Sequence, residues 1–420
     1  MKKILVLLAF VASLFAEDTA IEVVNRGMVL PKILIEDATV NFSNSDVKSR
    51  FSRMIAGDLM VGSAFEVIEG AQATTYDAPL SAEAAAKSPE FVLRYELSGG
   101  VNDINMRVKL IEVKSNSTKF EANYAQGSVP KWPFLSHRAV ADIARNLNLS
   151  PIEWMDKSII IAQYTNPGAS RIIVADYTLT YQNVVLSGGL NIFPKWANDA
   201  QSAFYYTTTE KGKPTLYKFD LASGAKERIT SSYGMIVASD VSRDGRKLLL
   251  TMAPADQSDI FLYDLNTRSA KRITSYSGID VNGNFVDNDS RVVFVSDRMG
   301  NPNVFATGLN GGAVEQLVYH GKNNSSVSTW ENYIVYSSRE SGAEYSQRTF
   351  NLYLISTKSD YIRQLTASGV NTFPRFSSDG GSIVYIKDAG SQSAVGIIRV
   401  NENKSFSFPL NIGKLQSIDW

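Results

Sequence analysis

The 420-residue chain contains no cysteine, so neither a disulfide framework nor a thiol-linked lipid anchor is available to it. Only two histidines occur, His137 and His320, too few and too far apart for the usual zinc site or a histidine-based triad. An excess of one charge is also missing. Lys plus Arg and Asp plus Glu balance at 42 each, without long blocks of either sign, which excludes a basic footprint for nucleic acid or an anionic membrane surface. There is no Gly-x-Ser-x-Gly elbow, phosphate loop or dinucleotide fingerprint. The apolar run from Ile4 to Phe15 is too short to span a bilayer comfortably, and no later segment approaches that length. Because it follows Met1-Lys2-Lys3 and precedes Ala16, it reads as an export signal over residues 1–16, cleaved after Ala16.

What the chain does have is a repeat. Asp176, Asp220, Asp264, Gly308, Ser356 and Asn401 close six short hydrophobic runs at steps of 44, 44, 44, 48 and 45 residues. A period in the mid-forties with short strands and no helical pattern inside it is the signature of four-stranded propeller blades. In one copy, Asn191 to Trp196, Ser202 to Tyr206, Leu216 to Asp220 and Glu227 to Thr230 are β-branched or aromatic runs separated by Asn, Asp, Gly and Pro, a four-strand meander. Asn371 to Gly380 repeats Asn191 to Ala200 closely. The 48-residue step is accounted for by extra residues around Ser341 to Arg348, a longer loop. Gly413 to Trp420 matches Gly189 to Trp196 in length, with Gly and Trp at both ends. The segment from Ile159 to Ser187 has no obvious first strand, so the C-terminal strand is expected to complete it and to remove the exposed sheet edges of a linear array. The expected fold class is mixed: an N-terminal α/β domain, then an all-β six-bladed propeller over residues 151–420 closed by the C-terminal strand.

Residues 17–150 form the α/β domain in this reading. Ser45-Asp46 caps a helix in which Val47, Phe51, Met54, Ile55 and Leu59 recur at three- and four-residue spacings. Leu135, Val140, Ile143, Ala144 and Leu147 make a second stripe. Phe65 to Ile68, Phe91 to Leu97 and Asn105 to Val113 alternate as strands do. A linker falls near Pro151.

The repeated Asp-Gly turns tempt a catalytic reading. Asp199, Asp244 and Asp379, the latter two followed by Gly245 and Gly380, sit where a short carboxylate accepts backbone N–H groups and Gly takes positive φ, so they are expected to be structural. A propeller glycosidase would need two carboxylates across a pocket, and Asp240, Asp280 and Asp419 are the nearest candidates. Phe193, Trp196, Phe373, Phe376 and Trp420 could line an aromatic ligand slot, but equivalent aromatics in successive blades more often fill the wedge between sheets.

A cleaved signal, a helix-and-sheet domain of about 130 residues and a six-fold repeat bearing Phe/Trp-Ser/Ala-x-Asp-Gly and Arg-Ile-Thr or Gln-Leu-Thr together resemble the TolB family of the bacterial Tol-Pal system. The resemblance covers essentially the whole mature chain. It implies a non-catalytic periplasmic protein, a monomer without cofactor, that supports outer-membrane integrity, envelope constriction at division and colicin import. It implies binding of the lipoprotein Pal through one propeller face, and of TolA through the mature N-terminus, here Glu17, Asp18, Ile21, Glu22, Val23 and Val24. Other Tol or outer-membrane proteins are further candidate partners. Functional variation collects in loops, and the inter-blade loops supply Asn191, Phe193, Asn282, Asn323, Asn371 and Phe373 as candidate Pal contacts. Alignment on the turn motif adds Met235, Ala238 and Asn284. The rival expectation is an exported propeller hydrolase or lyase acting on glycans or peptides.

Overall fold

A computed structural model of the chain describes residues 22–23, 29–339, 349–388, 390, 392–410 and 413–420. In its N-terminal part β1 (Glu22–Val23), β2 (Lys32–Asp37), α1 (Ser45–Gly62), β3 (Glu66–Gln72), α2 (Ala82–Lys87), β4 (Phe91–Ser98), β5 (Ile104–Glu112), β6 (Ser117–Gln126) and α3 (Pro133–Asn146) follow one another. The α1 stripe of Val47, Phe51, Ile55 and Leu59 is buried, each large side chain contributing roughly 1.5–3 kcal/mol by leaving water. The helix is capped by Asn44, whose Oδ1 accepts the Val47 N–H at 3.0 Å, and not by Ser45-Asp46. Those two residues already belong to the first turn, because the asparagine one position earlier reaches the same orphan donors. Pro133 opens α3, where its missing N–H costs nothing.

The sheet runs β3-β2-β4-β5-β6. Parallel pairing joins β2 to β3 and β4, and antiparallel pairing joins β4 to β5 and β5 to β6. The interior strand β2 is a continuous apolar-acidic run in which Glu36 is wholly buried because Arg94 on the central strand β4 meets it at 2.7 Å. This strand, β6 and α2 are additional to the elements expected from sequence.

After α3 the chain passes Pro151 and a 3-10 turn, Glu153–Asp156. Trp154 is wedged between Tyr177 and the terminal Trp420, with ring centroids 5.3 and 4.7 Å away. Arg399 Nη1 donates to the Pro151 carbonyl at 3.0 Å. One apolar cluster therefore extends from Ile33 and Phe51 through Trp154 into Ile161, Ile397 and Ile418.

Three separate four-stranded meanders occupy residues 191–231, 236–272 and 280–316. A fourth sheet has the order Leu415–Asp419, Ile159–Asn166, Ala169–Ala175, Gln182–Leu186, with Ile418 opposite Ile161 and Asp419 opposite Ile160. The meanders over 322–364 and 370–409 are not separate. A parallel bridge from Phe350 to Val370 merges them into one nine-stranded sheet, in which the Phe350 N–H donates to the Gly369 carbonyl at 3.0 Å. β1 adds to the outer strand of this sheet, Lys404–Pro409, with Glu22 opposite Ser405 and Val23 opposite Lys404. The loop expected around Ser341 to Arg348 lies outside the described residues.

The Asp-Gly turns are built from side-chain to backbone bonds. Asp244 Oδ1 accepts the Ser242 hydroxyl at 2.6 Å and the Arg246 N–H at 3.0 Å, while Asp379 Oδ1 accepts the Ser377 hydroxyl and the Gly381 N–H. At the equivalent turn, Asn198 and not Asp199 supplies the acceptor, to the Ser202 N–H at 3.2 Å, and Gln201 takes the left-handed position at φ 53°. Gly380, at φ +70°, lies under the Trp330 indole, and a Cβ there would come within 2.2 Å of the ring.

Candidate functional site

The first strands of the six meanders share one irregularity. Register breaks at Ile192/Lys195, Ala238/Asp240, Val281/Asn284, Ser325/Ser328, Thr372/Arg375 and Leu415/Ser417. Such bulges bend a strand and re-aim its side chains. At four of them the extra residue is left-handed without being glycine: Phe193 at φ 52°, Asn282 at 55°, Ser326 at 53° and Phe373 at 51°. A bulky residue there is unusual and needs support from its surroundings. Phe193 has it, since its N–H donates to Gln416 Oε1 of the C-terminal strand at 3.1 Å. The Asn282 N–H likewise donates to Thr251 Oγ1 at 2.9 Å.

The bulges open onto one cavity of 270 Å³ to which all six strands contribute. The rings of Phe193 and Phe373 both line it and stand beside each other, tilted at 45° with 6.4 Å between centroids. Val237, Ala238, Val281 and Ile418 make the wall apolar, and Asn282, Ser326 and Ser417 add polar groups. Asn282 Oδ1 is buried and has no hydrogen-bond partner among the described residues. Met235, 40% exposed, stands at the edge of this cavity and of a neighbouring one of 200 Å³.

Lys195 and Arg375 reach the same cavity, but their charges are taken up. Lys195 Nζ is 2.9 Å from Asp419 Oδ1 and 3.7 Å from Asp240 Oδ1, and Arg375 Nε is 3.5 Å from Asp419 Oδ1. Asp419 also accepts the Trp196 N–H and Asp240 the Phe285 N–H, both at 2.9 Å. Burial pushes the Asp240 carboxyl up despite Lys195, and burial pushes the Arg375 guanidinium down despite Asp419. Asp280, the third acid considered for glycosidase chemistry, is buried and gripped by Arg298 Nη2 at 2.9 and 3.0 Å. These acids are committed to neighbours, unlike a working acid–base pair.

Of the residues expected to contact a partner, Phe193, Met235, Ala238, Asn282 and Phe373 gather at this cavity. Asn191, Asn284 and Asn371 are buried instead, and their amides tie down loops: Asn191 Nδ2 to the Gly188 carbonyl at 2.9 Å, Asn284 to Asn282 at 2.8 Å, Asn371 to Ser368 at 2.9 Å. An asparagine at the strand entrance serves the corner, not the surface. Asn323 sits left-handed at φ 70° in its loop and does not line the cavity. Lys195, Arg375, Gln416 and Ile418 were missed, although Lys195, Asp240 and Arg375 each lie four residues before the turn positions Asp199, Asp244 and Asp379, and Asp419 stands at the same repeat position, before Trp420 as Lys195 is before Trp196.

Of the two histidines, His137 is wholly buried on α3 and His320 Nε2 lies 2.9 Å from the Tyr336 hydroxyl. Trp196 and Phe376 pack between sheets. Glu22 and Val23 form β1, while Glu17, Asp18, Ile21 and Val24 lie outside the described residues. Among the described residues no group of three or more His, Cys, Asp or Glu side chains could hold a metal, and no helix is long and apolar enough to cross a membrane.

Antiparallel meanders whose first strands converge on one bulged cavity, carried behind an α/β domain, define a two-domain β-propeller protein. The family model described as "TolB beta propeller domain" matches residues 158–420. The chain is 51% identical to "Tol-Pal system protein TolB" of Campylobacter jejuni (strain RM1221) over 100% of both chains. It is 48% identical to the protein of that name from Wolinella succinogenes over 97% of both, and 40% identical to that of Helicobacter hepaticus over 99% of both. Among solved structures it resembles TolB from Acinetobacter baumannii, with TM-score 0.76 and 21% identity over 96% of this chain and 99% of that one. The chain belongs to the TolB family, and is thus a Tol-Pal system component and not an enzyme.

Proposed function

We propose that the protein is a periplasmic scaffold that binds the lipoprotein Pal at the bulged cavity and its rim, and TolA through the segment from Glu17 to about Leu30. In this reading residues 1–16 are a signal removed after Ala16, residues 17–150 the α/β domain, and residues 151–420 six blades in a closed ring. The protein acts as a monomer in maintaining the outer membrane and constricting the envelope at division.

The observation that carries the Pal assignment is the apolar mouth. Phe193 and Phe373 stand in strained left-handed positions over a cavity with an unsatisfied side-chain amide oxygen, Asn282 Oδ1. Tyr233, Met235, Ile279 and Tyr319, in loops between successive meanders, are all at least 40% exposed. Exposed apolar groups around a pocket with a few polar anchors are the usual composition of a protein-binding surface. The hydrolase or lyase reading loses support because Asp240, Asp280 and Asp419 are each tied to a cation.

Titration of purified Pal onto the full-length protein and onto Met235→Lys tests the assignment. A charge in the apolar rim should weaken binding at least about tenfold while the melting temperature stays put. Equal affinity would remove the cavity from the interface. A form lacking residues 17–30 should keep Pal binding but lose TolA, and retention of TolA would refute the N-terminal assignment.

A further inference from the structure

The geometry points to a charge lock between the two parts of the molecule, in which His137, as an imidazolium clasped between Asp58 and Asp176, fixes the α/β domain on the repeat region. His137 lies on α3 and Asp58 on α1, whereas Asp176 and Tyr177 belong to the turn after the repeat strand Ala169–Ala175. All four side chains are fully buried. His137 Nδ1 is 3.0 and 2.9 Å from the two Asp58 oxygens, and Nε2 is 3.3 Å from Asp176 Oδ2.

A neutral imidazole carries one N–H, so one ring nitrogen would face a carboxylate oxygen with no proton between them. Nor does the chemistry suit a proton on either acid. Asp58 accepts the hydroxyls of Ser136 and Tyr177, and Asp176 accepts the N–H of Thr178 at 2.9 Å, the Thr178 hydroxyl and the N–H of Tyr181. Both carboxylates are used as acceptors, which leaves the proton on the ring. The groups facing His137 are Asp58 from α1, Asp176 and Tyr177 from the repeat region, and Phe134 from its own helix. Burial disfavours the charged ring, but the two carboxylates prevail and hold its pKa at about 10.

A buried ion cluster of this kind specifies one arrangement more than it adds stability, and removing one member leaves the others uncompensated. The Asp58–His137 half travels with the α/β domain and Asp176 with the repeats. Movement between the domains must therefore strip Asp176 from the ring. Because the folded value stands above the ordinary 6.5, the stabilisation from the charged ring is full below about pH 6.5 and declines as the pH climbs toward the folded value, while the ring in the folded protein keeps its proton through neutral pH.

Nitrogen-15 NMR of the full-length protein reads the ring directly. Two protonated nitrogens on His137 at pH 7 are expected, and a neutral ring at pH 7 overturns the proposal in the wild type, whatever any variant does. Asp176→Asn removes the contribution of the repeats alone. It should lower the His137 titration midpoint and speed amide exchange in α3 and the 175–181 turn at least about tenfold, leaving the 236–272 sheet unchanged. An Asp176→Asn protein with the parent titration and exchange would show that the cluster fixes nothing.

Discussion

Lys195 and Asp419, 224 residues apart in sequence, are joined by an ion pair of 2.9 Å among the first strands of the meanders. Asp419 also accepts the Trp196 N–H and lies within 3.5 Å of Arg375, so its removal takes the carboxylate from Arg375 and the acceptor from the Trp196 amide, and leaves Lys195 only the longer 3.7 Å contact to Asp240. Asp419→Ala should cost about 3 kcal/mol, more than Lys195→Met, since a deserted buried charge is the larger loss. Urea unfolding of the two variants and the double mutant measures this, and additive effects would deny the coupling.

The two Asp-Gly turns should respond unequally to one methyl group. Gly245 and Gly380 share nearly the same positive φ, 69° and 70°, but only Gly380 has a ring over it. Gly245→Ala should lose about 1 kcal/mol from backbone strain alone, and Gly380→Ala about 3 kcal/mol as Trp330 is displaced. Thermal unfolding of the pair distinguishes strain from collision.

Phe193→Gly separates stability from recognition. Glycine is at ease at φ 52°, and that relief offsets part of the lost packing, so stability should remain within about 1 kcal/mol of the parent. Partner binding at the cavity should fall at least about tenfold. A variant that loses stability and keeps affinity would make Phe193 a core residue.

Asp240→Asn should show a pH signature. Burial raises the carboxyl's pKa, so ionising it opposes folding, a cost absent at low pH and developed once the pH exceeds the raised value. The amide keeps the acceptor for the Phe285 N–H, and Lys195 retains Asp419. The variant should match the parent near pH 4 and gain on it toward pH 7. A gain that shrinks with rising pH would contradict the sign.

Deleting residues 413–420 should destabilise the repeats by upward of about 5 kcal/mol, since Leu415 and Ile418 are buried core. Calorimetry of the truncated form should show a broadened or lost main transition.

Sequence alone conveyed the repeats well, because turn residues punctuate each strand and the period survives degraded copies. In the α/β domain it found both long helices. It missed β2, whose Glu36 disguises an interior strand until Arg94 is seen beside it, and β6, whose outward polar face hides its pairing with β5. The cavity was half legible. Phe193, Met235, Ala238, Asn282 and Phe373, singled out as candidate partner contacts, line it, but Asn191, Asn284 and Asn371 turn inward because loop carbonyls need their amides. Local sequence does not say which way an amide will face. The Lys195–Asp419 cluster needed strands from opposite ends of the repeat region to be superposed, and the His137 cluster needed two domains.

The pairing of Ile159–Asn166 with Leu415–Asp419 also has a meaning in time. The sheet that starts the repeat region lacks its first strand until the last residues are translated. A ribosome releasing the chain from its N-terminus can complete the meanders between 191 and 316 as they emerge, but not that one. Its partner strand, Ile159–Asn166, must wait with one edge open, paired only to Ala169–Ala175, through the synthesis of some 250 residues. The repeat region therefore cannot reach its final form before Leu415–Asp419 is available to it.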